Sequence, residues 1–72
     1  MAEVSAQEMG SRAQQALDTS PVYALRDLHV EQQGECLLIS GLVTSFYHKQ
    51  LAQEVVRAVA EGCEVINSIR VL

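Results

Sequence analysis

Tryptophan is absent from the 72-residue chain, and there are only one phenylalanine, one proline and two tyrosines. The core must therefore be aliphatic, and almost every segment is free to enter a helix or strand, since proline alone locks φ and removes a backbone donor. Cations are scarce as well: Arg12, Arg26, Lys49, Arg57 and Arg70 stand singly against nine acids, for a net charge of −4. No basic stripe exists to neutralise phosphates, which argues against nucleic acid as a partner. No apolar run approaches the ~20 residues that span a bilayer, so no transmembrane segment is expected. The first eight residues offer neither a basic start nor an apolar stretch, unlike a secretory signal, and as written the chain is expected to stay in the cytoplasm. The two cysteines, Cys36 and Cys63, lie among apolar neighbours. They are expected to be free thiols packing as small hydrophobes, because nothing indicates the oxidising compartment that a structural disulfide needs.

Against these absences, 49% of the residues are apolar and 19% are charged, the balance of a folded core and not of a disordered chain. The length sets a single domain, 1–72, in which 1–20 reads as an N-terminal helix and linker and 24–72 as the core. A domain of this size buries only ~60% of its unfolded surface, which leaves little room for a deep active site.

Helix formers fill 4–17, with Met9, Ala13, Ala16 and Leu17 at helical spacing, so a weakly apolar first helix is predicted there. Asp18-Thr19-Ser20-Pro21 ends it, since the residue before proline is driven out of helical geometry, and a short turn is expected over 22–26. Leu28 and Val30 alternate with Asp27, His29 and Glu31, the period of a half-buried strand. A turn at Gln32-Gln33-Gly34-Glu35 leads to the nearly all-apolar run 36–43, expected to be a core strand covered on both faces. A two- or four-residue turn places Val30 opposite Leu37, Leu28 opposite Ile39 and Glu31 opposite Cys36, with His29 facing Leu38 and diagonal to Cys36. Thr44-Ser45 offers a hydroxyl cap to a second helix with Leu51, Ala52, Val55, Val56 and Val59 inward, and Gly62 is expected at its C-terminal cap. In a last strand, 64–72, Val65, Asn67, Ile69 and Val71 share one face, and Ile66, Ser68, Arg70 and Leu72 the other. The fold class is α+β, in the order α-β-β-α-β, with a three-stranded mixed sheet and both helices on one face through a right-handed crossover.

Three stretches then carry a likeness. Leu28-His29-Val30, Gly34 and Leu37-Leu38-Ile39-Ser40-Gly41-Leu42-Val43-Thr44-Ser45 form the first; Lys49 with Ala52, Val55, Val56 and Val59 the second; Gly62-Cys63 and Val65-Ile66-Asn67-Ser68-Ile69-Arg70-Val71 the third. In this order the chain resembles the BON domain, a bacterial module of osmotic-stress and nodulation proteins, with the best match over 24–72. Cys63 replaces the valine after the glycine, and the first helix matches poorly. The resemblance implies a binding module, often tied to the cell envelope, that contacts phospholipids or partner proteins.

Catalytic chemistry has no foothold in the sequence. Cys36, Cys63, His29 and His48 are scattered and lack the spacing of a metal site; no nucleophile elbow, phosphate loop or dinucleotide fingerprint occurs. No enzyme activity, cofactor or metal is therefore expected. Gly41 reads as a place where the second helix packs closely on the strand. Two surfaces remain as candidates. With both helices on one side, Cys36, Leu38, Leu42, Ile66 and Leu72 would line a bare sheet face, expected to hold a second copy of the chain or another protein. The competing expectation is that the first helix or a terminal segment covers this face. Phe46, Tyr47 and Lys49 form the alternative, a contact for phospholipid headgroups, though packing of both rings against their surroundings is the stronger expectation and anionic lipid repels a negative chain.

Overall fold

The computed structural model describes residues 6–72, with side chains from Glu8 onward. Residues 1–5, which include the predicted start of the first helix and most of the opening read for a signal, lie outside the described residues. Helix α1 runs Ala6–Asp18. Its Ala13 and Leu17 are fully buried and Met9 packs beside them, so the weak apolar stripe is the stripe that seats. The chain leaves it through Thr19 and the buried Ser20, whose hydroxyl accepts from the Val22 N–H at 3.1 Å. The expected short turn is a 3₁₀ turn at Tyr23–Leu25, with Leu25 inside the core and Tyr23 exposed beneath the Arg26 guanidinium at 4.1 Å.

Strand β1 (His29–Gln33) turns through Gly34 and Glu35 into β2 (Cys36–Ser40). Gly34 takes φ 62° while no residue other than glycine has positive φ among the described residues, the pattern of a two-residue hairpin turn with glycine at its first position. The turn is the two-residue kind that was expected, but it falls at Gly34-Glu35, one position beyond the centre of the predicted pairing, so β1 pairs as far as Gln33. Val30 pairs with Ile39, Glu31 with Leu38, Gln32 with Leu37 and Gln33 with Cys36. The predicted partners are thus displaced by two positions along the strand, but every side chain keeps its predicted face, since a shift of two preserves the pleat. His29 pairs with Ser40 and sits at the opposite end of the hairpin from Cys36.

The predicted core strand is interrupted at Gly41 and resumes as β3 (Leu42–Val43). Gly41 has φ 135°, and a Cβ built there would stand 2.6 Å from Leu28 Cδ2 and 3.4 Å from Leu28 Cα. The close neighbour is therefore the segment leading into β1 and not the second helix, a correction to the sequence reading. Ser45 caps α2 (Phe46–Val59) by accepting from the His48 N–H at 3.2 Å. The helix closes at Ala60, two residues before Gly62.

The last strand is likewise divided, into β4 (Glu64–Asn67) and β5 (Arg70–Val71). The sheet order is β1-β2-β4, antiparallel then parallel, with β3 beside β5 continuing the parallel pairing in the same register. N–H groups of Ser68, Arg70 and Leu72 donate to Ile39, Gly41 and Val43 carbonyls at 2.9 Å each, so the ladder passes unbroken across both interruptions. The result is the predicted α+β order with β2 central. Leu37, Ile39, Val43 and Ile69 meet Ala13, Leu17, Ala52, Val56 and Ala60 in one aliphatic cluster between the sheet and the two helices.

Candidate functional site

Burial alternates along the sheet: Leu37, Ile39 and Val43 are closed in, while Cys36, Leu38, Ser40 and Leu42 point away from the helices. On the last strand Glu64, Ile66, Ser68, Arg70 and Leu72 are all exposed. The register sorts the outward residues into rows. Gln33, Cys36 and Glu64 form the row nearest the hairpin turn, then Glu31, Leu38 and Ile66, then His29 and Ser40, then Leu42 and Arg70. Leu38 and Ile66 are thus adjacent at the middle of the face, with Leu42 (53% exposed) and Leu72 (77%) toward its far end and Ile66 itself 39% exposed. All five sequence-predicted interface residues lie on this face. Among the described residues α1 does not cross it, since the helix packs against α2 and the inner side of β1 and β2.

The flanking polar residues divide by sign. Glu31, Glu35 and Glu64 surround the hairpin end, whereas Arg70 stands at the other end with no carboxylate within salt-bridge distance among the described residues. The Cys36 thiol donates to Glu64 Oε2 at 3.4 Å. That hydrogen bond, with some desolvation and the nearby Glu64 charge, pushes the thiol pKa up, which keeps it neutral and a poor nucleophile. Cys63 lies against the core, and both cysteines are free.

Both lateral edges of the sheet are blunted, and neither device was legible as such in the sequence. On β1, the Gln14 side chain of α1 donates to the Leu28 carbonyl at 2.9 Å and accepts from the Val30 N–H at 2.8 Å, occupying edge groups that another strand would need. On the opposite edge, Asn67 Oδ1 accepts from the Ile69 N–H at 3.1 Å, while its amide donates to the Lys49 carbonyl at 2.9 Å and to Gln53 Oε1 at 3.2 Å. Asn67 thereby fixes the bend between β4 and β5 and ties it to α2. A glutamine on the polar flank of a helix gives no signal of a strand edge fourteen residues away.

The second candidate surface departs from expectation. Phe46 and Tyr47 are 74% and 68% exposed instead of packed. The Tyr47 ring lies beside the His48 ring, at 5.6 Å between centroids. Lys49 is half-buried and, with Phe46, Gln50, Gln53 and Asn67, lines a shallow depression of about 160 Å³. A larger open groove of about 410 Å³ runs between the helices beside Arg12, Gln15, Ala16, Thr19 and Val59. The four metal-capable residues considered from sequence do not converge, and no group of three or more such ligands occurs among the described residues. No described helix is long and apolar enough to cross a membrane.

A mixed sheet with two helices on one side and a partly apolar face that no other described element covers makes a small α+β domain. The chain belongs to the BON domain family, whose model matches residues 5–72, and so takes in the first helix as well as the core. The BON domain is a non-catalytic, binding-type module. No curated protein matches the chain.

Proposed function

We propose that the chain is a non-catalytic protein-interaction module whose contact surface is the open sheet face. One observation carries this reading: Leu38, Leu42, Ile66 and Leu72 lie on the single face that neither helix covers, and polar residues border them. An apolar centre inside a polar rim is the anatomy of a protein interface. The blunted edges favour the face over strand addition, since main-chain pairing needs free edge groups. Replacing Leu42 or Ile66 by a photo-crosslinking amino acid is expected to give protein adducts in cells. The same label at Ser11 or Glu54, on exposed helix surfaces, is expected to give none. Adducts from the helix positions alone would contradict the proposal.

A second reading is favoured by the exposure of Phe46 and Tyr47 beside Lys49: contact with phospholipid headgroups through the start of α2, where amphipathic rings are at home. Flotation with vesicles of anionic and zwitterionic phospholipid tests it. Binding that is lost in Phe46→Ala with Tyr47→Ala but kept in Leu38→Glu would support this reading, and no flotation of the unaltered chain would remove it.

A further inference from the structure

We infer that the occupant of the open sheet face is a second copy of the same chain, seated face to face with its strands antiparallel; the inference rests on that face being the contact surface. The observation behind it is the juxtaposition of opposite charge along one column of the face. On the last strand Glu64 and Arg70 are both exposed, on the same side, with Ile66 and Ser68 between them. A two-fold axis running across the strands, over the Val30–Ile39–Asn67 row, exchanges positions 64 and 70. It therefore lays each Glu64 on the other copy's Arg70. The same axis exchanges 36 with 42 and 31 with 29, so that Cys36 meets Leu42 and Glu31 meets His29. Leu38 and Ile66 of both copies then flank the axis, each over the other copy's Ser40 or Ser68, which makes a mixed apolar and hydroxyl centre with two charge pairs at its rim.

The alternative two-fold axis, along the strands, lays like rows on like rows. It leaves Glu64 facing Gln33 and turns Arg70 toward the side of β1, where Asp27 is the exposed acid. Only the antiparallel seating uses Glu64. A C₂ contact is self-complementary in this way, residue i meeting j and j meeting i, and opposite charges set its register more than its strength. The size of the face limits that strength. Three strands ~4.8 Å apart and seven residues at ~3.3 Å each cover roughly 300–400 Å² per copy, below the ~800 Å² per partner of a standard interface. The dimer is weak, reversible and salt-sensitive.

Sedimentation equilibrium of the whole chain under reducing conditions, from ~10 μM to ~1 mM, tests the seating through charge exchange, with thermal unfolding as the folding control. Glu64→Arg and Arg70→Glu are each expected to be monomeric throughout. An equimolar mixture of the two is expected to dimerise at least as well as the unaltered chain, because 64 of each variant then opposes 70 of the other with opposite charge. A mixture that stays monomeric, or a Glu64→Arg variant that dimerises normally while Arg70→Glu does not, would overturn the antiparallel seating. An unaltered chain monomeric to the top concentration would overturn the second copy as occupant, whereas crosslinked adducts to other proteins at Leu42 and Ile66 would still uphold the face itself.

Discussion

Two side-chain positions show how local physics shapes the sheet. Gly41 is required twice over: its φ of 135° lies where a Cβ is strained, and Leu28 fills the space that a Cβ would enter. The Gly41→Ala variant is expected to lose about 2–4 kcal/mol from backbone strain and overpacking together, read by urea unfolding; an unchanged midpoint would contradict this. Cys36 carries a second consequence. Its folded pKa is raised, chiefly by the hydrogen bond to Glu64, so the folded protein holds this proton to higher pH than the unfolded chain does. The associated stabilisation is present below the unfolded pKa and is lost as pH rises through the folded value. Iodoacetamide labelling of Cys36 should accordingly reach its half-maximal rate at a higher pH than an ordinary thiol does, and Glu64→Ala should bring that midpoint down. A midpoint insensitive to Glu64 would remove the assigned cause.

Among the elements, α2 and the alternation of the last strand were open to reading from sequence, because each follows from a period that one segment displays alone. The β1–β2 register was legible only in parity. Face is decided by the pleat, but which residues pair is decided by where the turn falls, and the two-residue turn sits at Gly34-Glu35 instead of centred on residues 33–34. The neighbour of Gly41 was misread because it depends on the path of the chain from the 3₁₀ turn into β1. Gln14 was not legible at all, since its partners are set by where α1 lies over the sheet. Its role predicts a local effect: Gln14→Leu leaves the Val30 N–H and Leu28 carbonyl without their partner, at a cost of about 1–3 kcal/mol. Hydrogen exchange of the Val30 amide should quicken while that of Leu37 moves only with global stability. Unchanged exchange at Val30 would rule out the edge cap.

At the scale of the molecule, the α-β-β-α-β order and the placement of both helices on one face were available from patterning, and with them the existence of an open face. What patterning could not supply was the state of the edges and of Phe46 and Tyr47, because each depends on where a chain segment ends relative to its neighbours. The open face is proposed as the surface on which two copies of this domain meet. Backbone amide chemical shifts recorded across a dilution series under reducing conditions test it most directly. Concentration-dependent shifts are expected only at residues 36–42 and 64–72 with the facing positions of β1, and constant shifts on the exposed sides of α1 and α2. Shifts clustered at Phe46–Lys49 or between the helices, with the sheet face silent, would contradict it.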